Sequence, residues 1–192
     1  MPTDHKAALR AQIRVRRDRR DPTERARVAQ ALARHVGEIA RRPRSTVAAY
    51  VSMPAEPGTG PSLAALTAAG HRVLVPRIDA GTLAWASWEV GGRLAPGPFG
   101  ILEPTGPVDP RGLAGVDVVL LPALAVDTAG HRLGQGGGYY DRALAHVPTL
   151  ADGGPQRVAV VFADEVLDAL PHEPHDATVD AVLTESGLVP LP

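Results

Sequence analysis

The sequence predicts an α/β fold: a single-domain, largely parallel open sheet with helices on both faces, a Rossmann-like three-layer sandwich. Three observations carry this expectation. Short apolar runs at 46–51, 72–76, 83–88, 116–121, 157–162 and 181–184 alternate with helix-like segments. The run 116–121 is apolar throughout, as in a strand buried on both faces of a parallel sheet. Beyond it, four glycines (Gly134, Gly136, Gly137, Gly138) lie between Arg132 and a helix-like segment at 141–146.

Residues 4–19 read as a helix with an apolar stripe of Leu9 and Ile13, while Lys6, Arg10, Arg14 and Arg17 follow at i, i+4, i+8 and i+11. Asp21-Pro22-Thr23-Glu24 reads as a new helix start, with Asp21 as N-cap, proline in the first turn and Glu24 at the capping-box position. Val28, Leu32, His35, Val36 and Ile39 share one face of that helix, and Arg25, Arg27, Arg34 and Arg41 read as a solvated face. The basic helical arm spans about residues 4–42. After the strand at 46–51 come a Pro/Gly-rich loop at 54–61 and a short helix at 62–69 closed by Gly70. The segment 91–110 is rich in turn residues and reads as a surface wrap, and 164–170 as a helical turn. No repeat, linker or second domain is evident.

With 192 residues, 44% of them hydrophobic, the chain can bury a substantial core. No apolar run approaches the roughly 20 residues of a membrane span, and no signal-like stretch opens the sequence. The absence of cysteine excludes disulfides, thiolate metal sites and thiol catalysis. A cytoplasmic monomer is the expectation. Net charge is only −1, yet residues 1–44 carry thirteen Lys or Arg against five Asp or Glu, and the remainder seven against sixteen. A basic arm on an acidic body suits a polyanion partner, or an arm that brings cations to an anionic ligand. The arm lacks interleaved aromatics, which weighs against single-stranded nucleic acid.

The segment Arg132-Leu133-Gly134-Gln135-Gly136-Gly137-Gly138-Tyr139-Tyr140-Asp141 has the chemistry of an anion site. Glycine lets backbone N–H groups approach phosphate oxygens, and a following helix start adds unpaired donors. Arg132 supplies a charge, and Asp141 a carboxylate able to hold a metal beside phosphates or to cap the helix. The segment lacks the Gly-Lys-Ser/Thr of a Walker A loop and the later acidic residue of a dinucleotide fingerprint. Lys6 and Arg10, one helical turn apart, can converge on one ligand. His172 and His175 lack partners at zinc-site spacing. From the residues alone, three readings stay open: an ATP-using enzyme, a sugar-phosphate enzyme on a related sheet, and a non-catalytic nucleotide- or RNA-binding regulator using the arginine-rich arm.

Arg132-Leu-Gly-x-Gly-x-Gly-Tyr-Tyr-Asp141 resembles the signature of the 5-formyltetrahydrofolate cyclo-ligase family. The resemblance runs nearly end to end. It includes Lys6-Ala-Ala-Leu-Arg10, Tyr50-Val-Ser-Met-Pro-Ala-Glu56, Gly97-Pro-Phe-Gly-Ile-Leu-Glu103-Pro104, Leu121-Pro-Ala-Leu-Ala-Val-Asp127 and Pro171-His-Glu-Pro-His-Asp176. It implies cyclisation of 5-formyltetrahydrofolate to 5,10-methenyltetrahydrofolate with ATP as co-substrate and Mg2+ as cofactor, and small molecules rather than membranes or nucleic acid as partners. By the same resemblance, Lys6, Arg10, Arg132, Leu133, Gly134, Gln135, Gly136, Gly137, Gly138, Tyr139 and Tyr140 are the expected ATP-binding residues. Met53, Glu56, Gly58, Gln135 and Tyr139 are the expected folate contacts. Asp141 and Asp176 are the expected metal-linked carboxylates, with Asp180 the alternative to Asp176. Family members usually carry an acidic residue immediately before the threonine where this chain has Gly58-Thr59, which leaves the pterin contacts to Glu56 or another loop.

Overall fold

The computed structural model describes residues 2–173 and 176–192; His175 of the last family segment lies outside them. Its helices are α1 (Pro2–Asp18), α2 (Pro22–His35), α3 (Gly60–Ala68) and α4 (Tyr139–Leu144). Its strands are β1 (Thr46–Ala48), β2 (Arg72–Asp79), β3 (Thr82–Ser87), β4 (Leu94–Pro96), β5 (Leu102–Pro104), β6 (Val118–Pro122), β7 (Ala125–Asp127), β8 (Arg132–Leu133), β9 (Gln156–Val160), β10 (Val166–Leu167), β11 (Ala181–Thr184) and β12 (Gly187–Pro190).

Seven strands form the central sheet in the order β12-β11-β9-β6-β1-β2-β3. The five inner strands run parallel and the two edge strands antiparallel. Alternation along the inner strands sorts the core into two layers. Val47, Val118, Leu120, Val158 and Leu183 pack with Val28, Leu32, Leu63 and Leu66 of α2 and α3. Ala48, Val119, Leu121, Ala159 and Val182 pack on the other face with Trp85, Leu113 and Leu144. The expected α/β class, parallel sheet and two-faced burial are therefore present.

The start of α2 follows its sequence signal in part. Asp21 caps α2, its carboxylate accepting from the N–H of Thr23 at 2.7 Å. Glu24 takes no part in a capping box; it pairs with Arg20 at 2.5 Å. Three elements differ from expectation. The expected strand at 46–51 ends at Ala48, and the chain leaves the sheet through Ala49 and Tyr50, both buried. The turn-rich 91–110 segment forms the β4–β5 hairpin, whose Glu103 carboxylate accepts from the N–H of Ile78 at 3.0 Å. The strand β6 does not feed the glycine loop directly: a small sheet, β10-β7-β8, intervenes and packs with Ile13 of α1.

A buried ion pair fastens α1 to the body. Arg17 Nε and Nη2 donate to the two carboxylate oxygens of Glu165 at 2.8 and 2.7 Å, and Nη2 also donates to the Ala123 carbonyl at 2.7 Å. Arg17 is 1% exposed and Glu165 fully buried, so the pair holds only because hydrogen bonds replace lost water. Among the described residues, no helix is long and apolar enough to cross a membrane.

Candidate active site

Chain direction locates the site. From β1 the chain crosses to β2 on one side, whereas β6, β9 and β11 build outward on the other. Ligands of open parallel sheets sit outside the carboxyl ends of the strands at such a switch point. A cavity of about 550 Å³ opens there, with Tyr50 and Val51 beyond β1, Pro76 and Ile78 of β2 and Pro122 closing β6 among its walls.

Five further segments complete it. The glycine loop contributes Arg132 through Asp141 and α1 contributes Lys6 and Arg10. The β1 exit loop brings Met53 and Glu56, and the 170s loop Glu173 and Asp176. The β4–β5 hairpin supplies Phe99, Ile101 and Leu102 as an apolar wall. Phe99 meets Tyr139 edge-on at 6.2 Å between ring centroids, and it is 73% exposed. The hairpin, Tyr50, Pro76, Arg77, Leu83 and Glu173 were not singled out from the sequence. The matches at 97–104, 50–56 and 171–176 were signals for the hairpin, Tyr50 and Glu173; a fold-dependent wall of mixed residues carries no local pattern for Pro76, Arg77 and Leu83.

The glycine loop is shaped by arginines. The carbonyl of Gly134 accepts from Arg10 Nε at 2.9 Å, that of Gln135 from Arg14 Nη2 at 2.8 Å, and that of Gly137 from Arg142 Nη1 at 3.0 Å. Across a trans peptide the next N–H points opposite to the carbonyl, so the N–H groups of Gln135, Gly136 and Gly138 are directed away from these guanidiniums. Gly136 and Gly138 have φ of 103° and 64°, where a side chain is strained. At Gly137 an added Cβ would lie 3.0 Å from the Tyr139 ring. The helix start after the loop is modest, since α4 is a single six-residue segment without a side-chain cap.

The charged residues differ in role from a bare cationic arm. Lys6, only 6% exposed, reaches Asp176 Oδ2 at 2.6 Å and Glu173 at 3.2 Å. Arg132 is buried; it donates to the Pro122 carbonyl at 3.2 Å and to Asp141 Oδ1 at 2.6 Å. Each of the two carboxylates expected beside a metal is thus held by a basic residue. Asp180 lies elsewhere, accepting from the N–H of Arg157 at 2.7 Å where β9 begins, and it does not line the cavity. Leu133 reaches the cavity wall but buries its side chain with Ile13 and Leu124. Tyr140 packs edge-on to Trp85 at 6.4 Å, and burial pushes its hydroxyl pKa up.

Two carboxylates lining the cavity are buried, Glu103 of the hairpin and Glu56 of the β1 exit loop. The bonding of Glu56 is distinctive. Its Oε2 accepts from the N–H of Met53 at 2.9 Å and its Oε1 from Gln135 Nε2 at 3.3 Å. Burial raises its pKa above the ordinary glutamate value, and the two hydrogen bonds oppose that rise. Gly58, expected as a folate contact, does not line this cavity. It borders a neighbouring cleft with Arg25 and Ala29, and an added Cβ would stand 2.9 Å from that of Ala29. Close approach of α2 leaves no room there for an acidic side chain. The adjoining Thr59 is structural: its hydroxyl donates to the Tyr50 carbonyl at 2.6 Å and accepts from the N–H of Ser52 at 3.1 Å.

Comparison with known proteins gives the family. The model of the 5-formyltetrahydrofolate cyclo-ligase family matches residues 2–185. The 5-formyltetrahydrofolate cyclo-ligase of Mycolicibacterium smegmatis is 45% identical over 154 residues, covering 76% of this chain and 77% of that one. That of Escherichia coli is 34% identical over 148 residues, covering 73% and 78%. The 5,10-methenyltetrahydrofolate synthetase of Aquifex aeolicus superposes with a TM-score of 0.78 at 26% identity over 97% of this chain and 92% of that one. The chain belongs to the 5-formyltetrahydrofolate cyclo-ligase family, and it is a ligase of folate one-carbon metabolism.

Proposed function

We propose that the cavity binds ATP and 5-formyltetrahydrofolate side by side and forms 5,10-methenyltetrahydrofolate, ADP and phosphate. The observation that carries this reading is convergence: the glycine loop, the α1 cations and the Glu56 loop, far apart in sequence, line one cavity at the sheet's switch point. The N–H groups of Gln135, Gly136 and Gly138 are the donors for the ATP phosphates, with Lys6 and Arg10 as cations beside them. Glu56, with Met53 at its side, accepts from the N–H edge of the pterin, and Tyr139 and Phe99 close over the reacting groups. In this reading the whole chain works as one domain, supported by cavity walls drawn from Lys6 near one end to Asp176 near the other, and as a cytoplasmic monomer.

The chemistry needs no nucleophilic side chain. The formyl oxygen attacks the γ-phosphorus as the bond to the β-phosphate oxygen breaks, and ADP leaves. N10 then adds to the activated formyl carbon, loses its proton, and expels phosphate. The protein supplies alignment and charge neutralisation, which suffices for phosphoryl transfer between bound partners. Asp141 and Asp176 fit Mg2+, a hard ion that prefers carboxylate, phosphate and water oxygens. In this reading phosphates and water supply the remaining ligands of the ion. When bound, Mg2+ would neutralise charge on the transferred phosphoryl group. Until then, Lys6 and Arg132 hold the two carboxylates in place.

The inward engagement of Lys6, Arg10 and Arg17 supports this reading over an RNA-binding arm, which would present those charges to solvent. The purified protein mixed with ATP, Mg2+ and 5-formyltetrahydrofolate tests it: a near-ultraviolet absorbing methenyl product is expected in step with ADP. No product, or product formed without ATP, would refute it.

A further inference from the structure

Three segments distant in sequence meet at one side chain. Arg14 on α1 donates to Gln135 Oε1 from Nε at 3.3 Å and from Nη2 at 3.1 Å. The other end of the same amide, Nε2, donates to Glu56 Oε1 at 3.3 Å. The chemistry fixes the amide orientation, because a guanidinium has no acceptor and an ionised carboxylate no donor. Arg14 also holds the Gln135 carbonyl at 2.8 Å, so both its main chain and its side chain are oriented from α1. We infer that Arg14 and Gln135 form a relay that positions the Glu56 carboxylate and keeps it ionised for the folate, making Gln135 a positioning residue for substrate specificity and the link between the nucleotide loop and the folate pocket. The inference rests on the proposed function and adds to it how the two halves of the site are coupled.

Physical necessity supports the relay. Glu56 is 6% exposed, and burial disfavours its charged form. The charged and titratable groups facing it are Arg17 and Glu165, which neutralise each other, the buried phenols of Tyr50 and Tyr140, and Arg25 across the neighbouring cleft. Among the described residues, only the Met53 N–H and Gln135 Nε2 donate to its carboxylate. The Met53 contact is local, three residues away. The Gln135 contact is the one that a change in the glycine loop would move. A guanidinium on the amide oxygen polarises the amide and strengthens its N–H as a donor. Binding of phosphates that fixes the loop would therefore also fix Glu56, so ATP and folate should each tighten the other.

The test uses calorimetric binding of 5-formyltetrahydrofolate and of ATP to the full chain, from about pH 5 to 8, alongside turnover. Gln135→Leu keeps the bulk and removes the amide. It should weaken folate binding about tenfold, change ATP binding much less, and move the acid limb of folate binding to higher pH. Arg14→Ala, at an exposed position, should do the same more weakly. The double variant should bind folate no worse than Gln135→Leu alone, because the two act through one path. Folate binding unchanged in Gln135→Leu, or weakened equally at every pH, or additive losses in the double variant, would each overturn the relay. A wild-type chain that binds no 5-formyltetrahydrofolate would retire the proposed function and the relay with it. Normal wild-type binding and turnover with unmoved variants would retire the relay alone.

Discussion

Lys6 Nζ lies 2.6 Å from Asp176 Oδ2, joining the first helix to a loop 170 residues further along the chain. The contact lies in the cavity wall and sets a cation and a carboxylate where the phosphates and their metal would compete for both. Lys6 thus has two tasks, holding the loop and neutralising ATP. Lys6→Ala should raise the ATP KM or lower kcat by the equivalent of a charge-assisted contact, about 1.5–3 kcal/mol. Arg10→Ala should act similarly through the loop carbonyl of Gly134. Arg27→Ala, on the exposed face of α2, should leave kinetics within about twofold. Steady-state kinetics of the three variants decides this, and equal losses in all would reduce α1 to a solvated basic face.

The left-handed backbone at Gly136 and Gly138 makes the loop intolerant of side chains. Gly138→Val should abolish turnover while the chain still unfolds cooperatively, its melting temperature lowered only by the backbone strain of about 1–3 kcal/mol, since the loop lies outside the main core. Circular dichroism melting with an activity assay separates the two effects. Normal kcat and ATP KM would remove the loop from the phosphate site.

The buried Arg17–Glu165 pair is structural rather than catalytic. Removing one partner strands a buried charge, so Arg17→Met should destabilise the fold by about 3–5 kcal/mol, read by denaturant unfolding. Arg17→Met with Glu165→Leu should recover much of that loss. A loss of activity without a loss of stability would place Arg17 in the site instead.

Glu56 should trade stability for binding. Its folded pKa is raised by burial, so the folded state holds its proton to higher pH than the unfolded chain. Wild-type stability therefore falls, relative to Glu56→Gln, as pH rises from below the ordinary glutamate range through the raised pKa, and the gap then levels. At neutral pH, Glu56→Gln should melt no lower than the wild type while binding 5-formyltetrahydrofolate poorly. Melting temperature against pH for both proteins checks the sign. A gap that shrinks with rising pH would contradict it.

Much of the fold was legible because it rests on local rules. Val47 and Ala48 face opposite layers by strand alternation, and the Asp21 cap follows from residue type alone. The three-stranded sheet of β7, β8 and β10 was not legible, since strands of two or three residues display no period. The shared face of Lys6, Arg10 and Arg17 on α1 was readable, but their partners Asp176, Gly134 and Glu165 are set by tertiary packing. Gly58 is the sharpest case. Its sequence position suggested a folate contact, whereas the approach of Ala29 explains its small size.

Asp141 and Asp176 should act through magnesium. Asp141→Asn and Asp176→Asn keep shape but lose charge, so both should need much more Mg2+ for half-maximal turnover and lose phosphoryl transfer before folate binding. Asp180→Asn, outside the cavity, should leave the magnesium curve unmoved. A shift in Asp180→Asn alone would relocate the metal, and no shift in any would leave Asp141 and Asp176 as structural partners of Arg132 and Lys6.

Phosphoryl transfer to the formyl oxygen is the step on which the reading of this cavity depends, and isotope labelling follows that oxygen directly. 5-Formyltetrahydrofolate carrying oxygen-18 in the formyl group is turned over with unlabelled ATP and Mg2+ in unlabelled water, and the released phosphate is analysed by mass spectrometry. One labelled oxygen in each phosphate is the expected result, because the formyl oxygen leaves bonded to the phosphorus that it attacked. Unlabelled phosphate, formed in step with methenyl product, would contradict transfer to the folate and show that ATP is hydrolysed separately from ring closure.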